Sequence, residues 1–494
     1  MDRHPPRRRR GHRLLPACRY GGGGRRLGIG ARKVGDGADH RSGDRRRAPR
    51  RRGLRPSHRH RRRTGYRLAV VSACSSEPKV RGGSLLLYGG TLVSNEGAHD
   101  ARQSGVSFER LGLYRNGALL AVDGVVTAIG GESEVREAFR ALPLGTRRRV
   151  VELSLEGRVV FPGFVDAHTH PLYVGDREPD FAARLEGESP VLGMAYTVEQ
   201  TRAATDEVRE RALAAHLRTM FRHGTTAAEM KTGYDLRTGG ELALLRTIVR
   251  VAKRGAMPRA VPTLMGPHTH APEYPGDDDA FVDALIEQTL PYARAAGAVY
   301  ADVFCEPGYF TVQQTRRYFA AARSHGLRLR LHCDEFGDGG AAALAAELGI
   351  DAADHLNCMD PGAIAGLAHA GTVAVLCPTT LWYMDVPKVA PARALLDAGV
   401  PVALATDFNP GTAPCPSLQM AAHLGRRLLG LSAAETLVAV TTAAARSLRL
   451  AAGTLEAGAQ ADAVIMEMEH PRELGWSFGG NLATAVVAAG EVYP

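Results

Sequence analysis

The chain is poor in cysteine, and the few it has are badly placed for structural work. Seven stand in 494 residues, at positions 18, 74, 305, 333, 358, 377 and 415. The number is odd, the spacing wide, and no Cys-x-x-Cys pair occurs. This argues against a disulfide framework and a thiolate zinc cluster, and it fits a reducing cytosolic compartment. Also lacking are a secretory leader and any apolar run of about 18 residues, so neither export nor a membrane-spanning helix is expected. No Gly-x-Gly-x-x-Gly or phosphate-binding loop follows a predicted strand, which leaves a nucleotide-binding fold without support.

Acidic side chains are scarce in one region only. Residues 1–67 carry 23 Arg and one Lys against four Asp, a charge of +20. The formal total is +10, so the remainder is an ordinary acidic protein at −10. The opening stretch has no apolar period and cannot bury a core; residues 1–80 are expected to form a disordered extension. Four readings compete for it. A nucleic-acid arm would want aromatics to stack on bases, and there are almost none. A transit peptide would want an amphipathic helix that is absent. A solvated tail is the third reading. An upstream extension from a misjudged start is the fourth, and the near absence of Lys beside so much Arg suits it best. Nucleic acid is therefore not an expected partner.

What is present begins at about residue 84. Short apolar segments at 85–88, 119–122, 125–130 and 149–153, parted by Gly-rich turns, predict a small β module over 84–164. From 165 onward strands alternate with helices. Thr197 and Gln200 form a capping box that predicts a helix running to His223-Gly224, before a strand at 225–230. Thr311 and Gln314 open another helix to His325-Gly326, before a strand at 327–331. Asp360 is placed to cap a helix to Gly371, before a strand at 372–377; 400–406 is a further strand. Ser432 and Glu435 open a long Ala-rich helix. Such βα repetition over 165–451 favours a (β/α)₈ barrel over an open sheet. Segments 463–466 and 485–488 are expected to return to the first module, making a small β-sandwich domain from 84–164 plus 452–494.

Chemistry gathers at the predicted strand ends. The apolar segment 158–165 runs into Asp166-Ala-His168-Thr-His170, and side chains at i and i+2 of a strand share a face. Further ends carry Glu306, His332 with Glu335, His355, and Asp407 with Asn409. A single His is often a satisfied core residue, but histidines and an aspartate closing separate apolar strands point together. Three neutral imidazoles and one carboxylate suit Zn²⁺ or Fe²⁺ with a position left for water. That is the equipment of a hydrolase. His268-x-His270 is a second pair that spacing alone would also allow.

The motifs PGFVDAHTH, GTTAAEMKTGYD, MGPHTHAPEY, DVFCEPGYFTVQQTRRY, LHCDE, ADHL, PTTLWY and LATDFNPGTAP resemble the amidohydrolase superfamily and, within it, the imidazolonepropionase family. The resemblance covers roughly four-fifths of the chain, from about Ser84 onward. It implies hydrolysis of 4-imidazolone-5-propanoate to N-formimino-L-glutamate in histidine degradation, with one divalent ion, zinc or iron. A homodimer is implied too. Carried over by position, the metal ligands are His168, His170, His332 and Asp407. The substrate contacts are Arg177, Tyr234, His268, Glu335, Asn409, Gly411 and Thr412. Glu335, His355 and Asp407 become the catalytic groups, with Glu335 the first choice as base and His355 the alternative. Arg177 has the fork geometry to hold a propanoate tail bidentately. The chain departs from the family at Val191-Leu-Gly-Met-Ala-Tyr196, where only one glycine stands, and at Thr232, Asp235 and Pro267. These changes keep open a relative acting on another cyclic amide or deaminating a heterocycle.

Overall fold

The computed structural model describes residues 83–98 and 103–494. The extension expected over residues 1–80 lies outside the described residues. Two sheets organise the rest. The first takes β1 (Leu85–Val93), β2 (Leu113–Val122), β3 (Val125–Gly131), β4 (Val151–Ser154) and β5 (Val159–Pro162) from the start of the described chain. The second is the barrel, with β6 (Phe164–Asp166), β7 (Thr225–Lys231), β8 (Arg259–Leu264), the short pair β9 (Tyr300–Ala301) and β10 (Phe304–Cys305), β11 (Arg328–Cys333), β12 (Ala352–His355), β13 (Val373–Leu376) and β14 (Val402–Leu404). The chain then returns to the first sheet with β15 (Ala463–Met466), β16 (Ala483–Ala488) and β17 (Glu491–Tyr493).

The first sheet is hydrogen-bonded in the order β17-β16-β15-β5-β1-β2-β3, with β4 beside β1. It curls, because Val126 at one edge exchanges backbone hydrogen bonds with Gly458 and Ala459 just ahead of β15. Strand alternation then sorts the side chains. In β5, Val160 enters the core enclosed by this sheet, while Val159 and Phe161 enter the barrel's core; in β15, Ala463 and Ile465 go one way and Val464 and Met466 the other. Period-2 alternation is what lets one strand serve two cores. A helix unforeseen in the sequence, Glu132–Ala141, covers the outer face, where its Val135 packs with Leu86, Ala118 and Leu120.

The barrel strands are parallel and run β6-β7-β8-β9-β11-β12-β13-β14, with β10 on β11. The last and first strands meet only at their carboxyl ends. There Thr169 bridges Phe408, Asp407 N–H donates to the His168 carbonyl at 3.0 Å, and Thr406 gives both its N–H and its hydroxyl to Asp166. The ring is thus closed by the backbone that carries its most reactive side chains.

Two helix expectations are corrected. Thr197 does not open the helix that ends at His223. It lies inside Gly193–Ala203, and a separate helix, Asp206–Arg222, starts at Thr205, whose hydroxyl accepts from Val208 N–H. The long Ala-rich helix is two, Ala433–Ala439 and Thr442–Ser447, broken at Thr441 with φ −133° and ψ −96°. The capping boxes at Thr311 and Ser432 form as expected. No helix among the described residues is long and apolar enough to cross a membrane.

Candidate active site

Side chains from the carboxyl ends of the barrel strands converge, as barrel geometry directs. His168 Nε2 and His170 Nε2 lie 3.3 Å apart, and Asp407 Oδ1 is 3.4 Å from the first and 3.5 Å from the second. Donor atoms about 2.1 Å from a tetrahedral cation sit roughly 3.4 Å from one another, so these spacings fit a shared ion. His332 joins them: its ring centroid is 4.5 Å from that of His168, and His168, His170 and His332 offer nitrogens within 4.8 Å of one another. All four side chains are buried. Burial first, and then neighbouring cationic groups, hold His168 and His170 well below the ordinary histidine range. They are neutral lone-pair donors at physiological pH.

The inner wall fixes these rings. His168 Nδ1 donates to Asp354 Oδ2 at 2.6 Å, which leaves Nε2 unprotonated toward its partners. His332 Nδ1 is 3.1 Å from Asp302 Oδ2. Asp302 and Glu229 lie 2.7 and 2.9 Å from Lys231 Nζ, and Arg330 grips Asp354 at 2.9 Å. Glu229 also accepts the Thr169 N–H. All five charged groups are fully buried. Their formal sum is −1, and Asp407 adds another negative charge. A dry interior tolerates that surplus when a cation sits beside it. Burial pushes Asp407 up to about 6, with Thr380 Oγ1 hydrogen-bonded to its other oxygen.

Strain marks the same strand ends. Asp334, His355, Leu356 and Asp407 take φ of 49°, 71°, 62° and 51°. Non-glycine residues pay about 1–3 kcal/mol each for such conformations and keep them where the surroundings insist. Here they re-aim side chains at the barrel mouth.

A cavity of about 290 Å³ opens above the histidines and is lined by His170, Arg177, Tyr234, His268, His332, Glu335, His355, Asp407, Asn409 and Thr412. Every sequence-derived site residue except His168 and Gly411 therefore faces it. His168 lies beneath, and Gly411 lies under Arg177, where a Cβ would collide with the guanidinium. Gly233 is equally constrained: at φ +114° it lets His268 pack on the backbone and give its Nδ1–H to the Gly233 carbonyl at 2.9 Å. Asn409 spends its side chain on its own loop, donating to the Asp407 carbonyl and Thr412 Oγ1 and accepting from Gly411 and Thr412 N–H. His270 is not part of the group. It is exposed, pairs with Asp278 at 2.9 Å and stacks on Tyr309.

Glu335 is buried, and burial, Asp407 and Glu306 together push its carboxyl well above the usual range. Its Oε1 is 3.6 Å from His355 Nδ1, and among the described residues neither ring nitrogen of His355 has a hydrogen-bond partner. Glu306 accepts the N–H groups of Glu335, Phe336 and Gly337 and so shapes the loop that presents Glu335.

A barrel of this kind, with a His-x-His pair just after its first strand and an aspartate after its last, matches the amidohydrolase family over residues 159–491, and the chain belongs to that family. Among solved structures it is similar in fold to a zinc-bound adenosine deaminase from Xanthomonas campestris, with TM-score 0.58, 20% identity, and 83% and 92% of the two chains covered. It is also similar to the E. coli guanine deaminase, with TM-score 0.62, 16% identity, and 83% and 99% covered. Sequence places it more finely. An imidazolonepropionase from Chloroflexus aggregans is 39% identical over 428 residues, 83% of this chain and 98% of that one. Another from Rubrobacter xylanophilus is 40% identical over 386 residues, 76% and 91% of the two chains. Within the amidohydrolases the chain belongs with the imidazolonepropionases, hydrolases of carbon–nitrogen bonds in cyclic amides.

Proposed function

We propose that this site opens the ring of 4-imidazolone-5-propanoate, adding water across the lactam C–N bond to yield N-formimino-L-glutamate, a step of histidine breakdown in the cytoplasm. The observation that carries the reading is a single cavity that holds, on one side, a donor set fit for a cation and, on another, the guanidinium of Arg177. His168, His170, His332 and Asp407 would hold zinc or iron, which supplies Lewis acidity toward a carbonyl and brings the pKa of a water down to about 7.

The remaining chemistry falls to the chain. Arg177 binds the propanoate, as a planar fork suits a carboxylate. His268 has committed its Nδ1–H to the Gly233 carbonyl, so its Nε2 accepts a ring N–H rather than donating one. Tyr234 keeps its hydroxyl proton, because burial pushes that group far up, and it serves as a donor to the substrate. Glu335 is the base we assign: a raised carboxyl pKa suits a group that takes a proton from the attacking water and returns it to the leaving ring nitrogen. His355 stands next to it as the relay.

The test is ring opening of freshly prepared imidazolone propanoate, followed by absorbance, with and without chelator. Turnover that a chelator abolishes and that zinc or iron restores is expected. Metal-replete protein that leaves the compound intact would remove this substrate and turn attention to other cyclic amides.

A further inference from the structure

Arg177 reaches the cavity with one edge of its guanidinium already engaged. Its Nε donates to Asp180 Oδ2 at 2.7 Å, and Asp180 is fully buried. The same carboxylate accepts two backbone N–H groups, from Leu192 at 2.6 Å and Gly193 at 3.0 Å. Those amides begin the helix Gly193–Ala203, with Gly193 at φ +66°. Pro190, Gly193 and Met194 line the cavity beside Arg177. On the other side, the absent side chain of Gly411 leaves room for Nη1. Among the described residues no group accepts from Nη1 or Nη2. Three donors thus meet on one buried carboxylate, one from the cation and two from the cavity wall, while the far edge of the cation stays free.

We infer that Asp180 is a positioning residue that turns the Nη1–Nη2 edge of Arg177 toward a substrate carboxylate and seats the 190–194 wall around it, so that the site selects acids over their neutral counterparts. This rests on the ring-opening reading for the identity of the acid. Two effects of neutralising Asp180 oppose each other. Arg177 would attract an anion more strongly once its partner charge is gone. Against that, a long side chain would lose its charged anchor, and one of the two oxygens that hold Arg177 and the wall amides would become a donor. A bidentate carboxylate contact depends on both atoms of the fork being in place, so lost orientation outweighs gained field. The altered run Val191–Tyr196 gains a meaning here, since it is the segment Asp180 ties to the anion-binding group.

The experiment compares the protein with Asp180→Asn, which keeps the size, removes the charge and puts an NH2 donor in place of one of the two acceptor oxygens. KM for imidazolone propanoate should rise about tenfold, the scale of one misplaced charge-assisted contact, with kcat nearly unchanged. The matching propanamide should be handled alike by both proteins. Arg177→Gln and the double variant complete a cycle, in which Asp180→Asn adds nothing once Arg177 is gone. An unchanged or lower KM, or an equal loss on the propanamide, overturns the inference. If the asparagine variant does not fold, Asp180→Glu, which keeps the charge and displaces it, is expected to show the same KM-only change. Imidazole-4-propanoate, which has no ring carbonyl, reads carboxylate capture apart from chemistry. Its Kd by calorimetry should rise about tenfold in Asp180→Asn. Capture that depends on Asp180, without turnover of the imidazolone, would sink the reaction and leave Asp180 standing; no capture by the unaltered protein would sink Asp180's role.

Discussion

Glu335 sits where a carboxyl group is costly to ionise. It is buried, faces Asp407, and hangs from a loop whose amides Glu306 holds. Replacing it with Gln keeps the shape and removes the proton acceptor. Turnover should fall by about 10²-fold or more, the scale of a lost general base, while bound metal per chain, measured by elemental analysis, stays the same. Retained turnover would pass the role to His355. The histidines and Asp407 were legible because each closes an apolar strand with a residue that has little reason to be there. Lys231, Arg330, Asp302 and Asp354 were not. A charged residue inside a strand ordinarily signals an exposed face, and only the fold reveals that these meet one another in the barrel's interior. Thr380 and Asp180 escaped for a simpler reason: each is a short polar side chain in a short helix, Pro378–Tyr383 and Glu178–Leu185, and carries no spacing signal until its partner is known.

Helices show the same division. Thr311 and Ser432 were readable as starts because the reciprocal Gln314 and Glu435 stand at the right distance, and both boxes form. Thr197 with Gln200 has identical spacing, yet tertiary packing buries Thr197 within a helix and gives the cap to Thr205. The helix Glu132–Ala141 has a helical signal in the sequence, though it lies within a run of predicted strands. Val135, Ala138, Phe139 and Leu142 recur at helical intervals and pack on the sheet. At the barrel's other end Asp351, between β11 and β12, ties two elements together through Arg328 Nη2 at 2.7 Å and Arg449 Nη2 at 2.8 Å. Burial raises its carboxyl, but hydrogen bonds from the two arginines outweigh this and hold it below the usual value. A depressed folded pKa means stability that is present above the unfolded value of about 3.9 and lost as pH falls through the folded one. Both arginines are about half exposed, so the pair is worth only about 1 kcal/mol. Asp351→Asn should lower Tm by about 2 °C at neutral pH, and a thermal scan should find the difference shrinking as acid is added below about pH 4.

The whole molecule divides its labour along the sequence. Every group placed at the site falls between His168 and Thr412, and the curled sheet contributes none of them. Removing residues 1–80 should therefore leave kcat/KM for ring opening unchanged, measured beside the full chain in the same buffer. A fall of tenfold or more (the scale of a lost binding contact) would give that stretch a part in the chemistry.

The composite sheet has a consequence for how the protein comes into being. β5 lies between β1 and β15, and roughly 300 residues must be translated after β5 before β15 exists. At a typical elongation rate of about 5–20 residues per second, that leaves an apolar strand edge unpaired for about 15–60 seconds on every ribosome. Val160 and Phe161 would spend that interval waiting for Ile465 and Val464, their partners in the finished sheet, a window in which two nascent chains on one message can pair with each other. The exposure ends only when β15 docks on β5, so the sheet that encloses one core is also the slowest part of the chain to be completed.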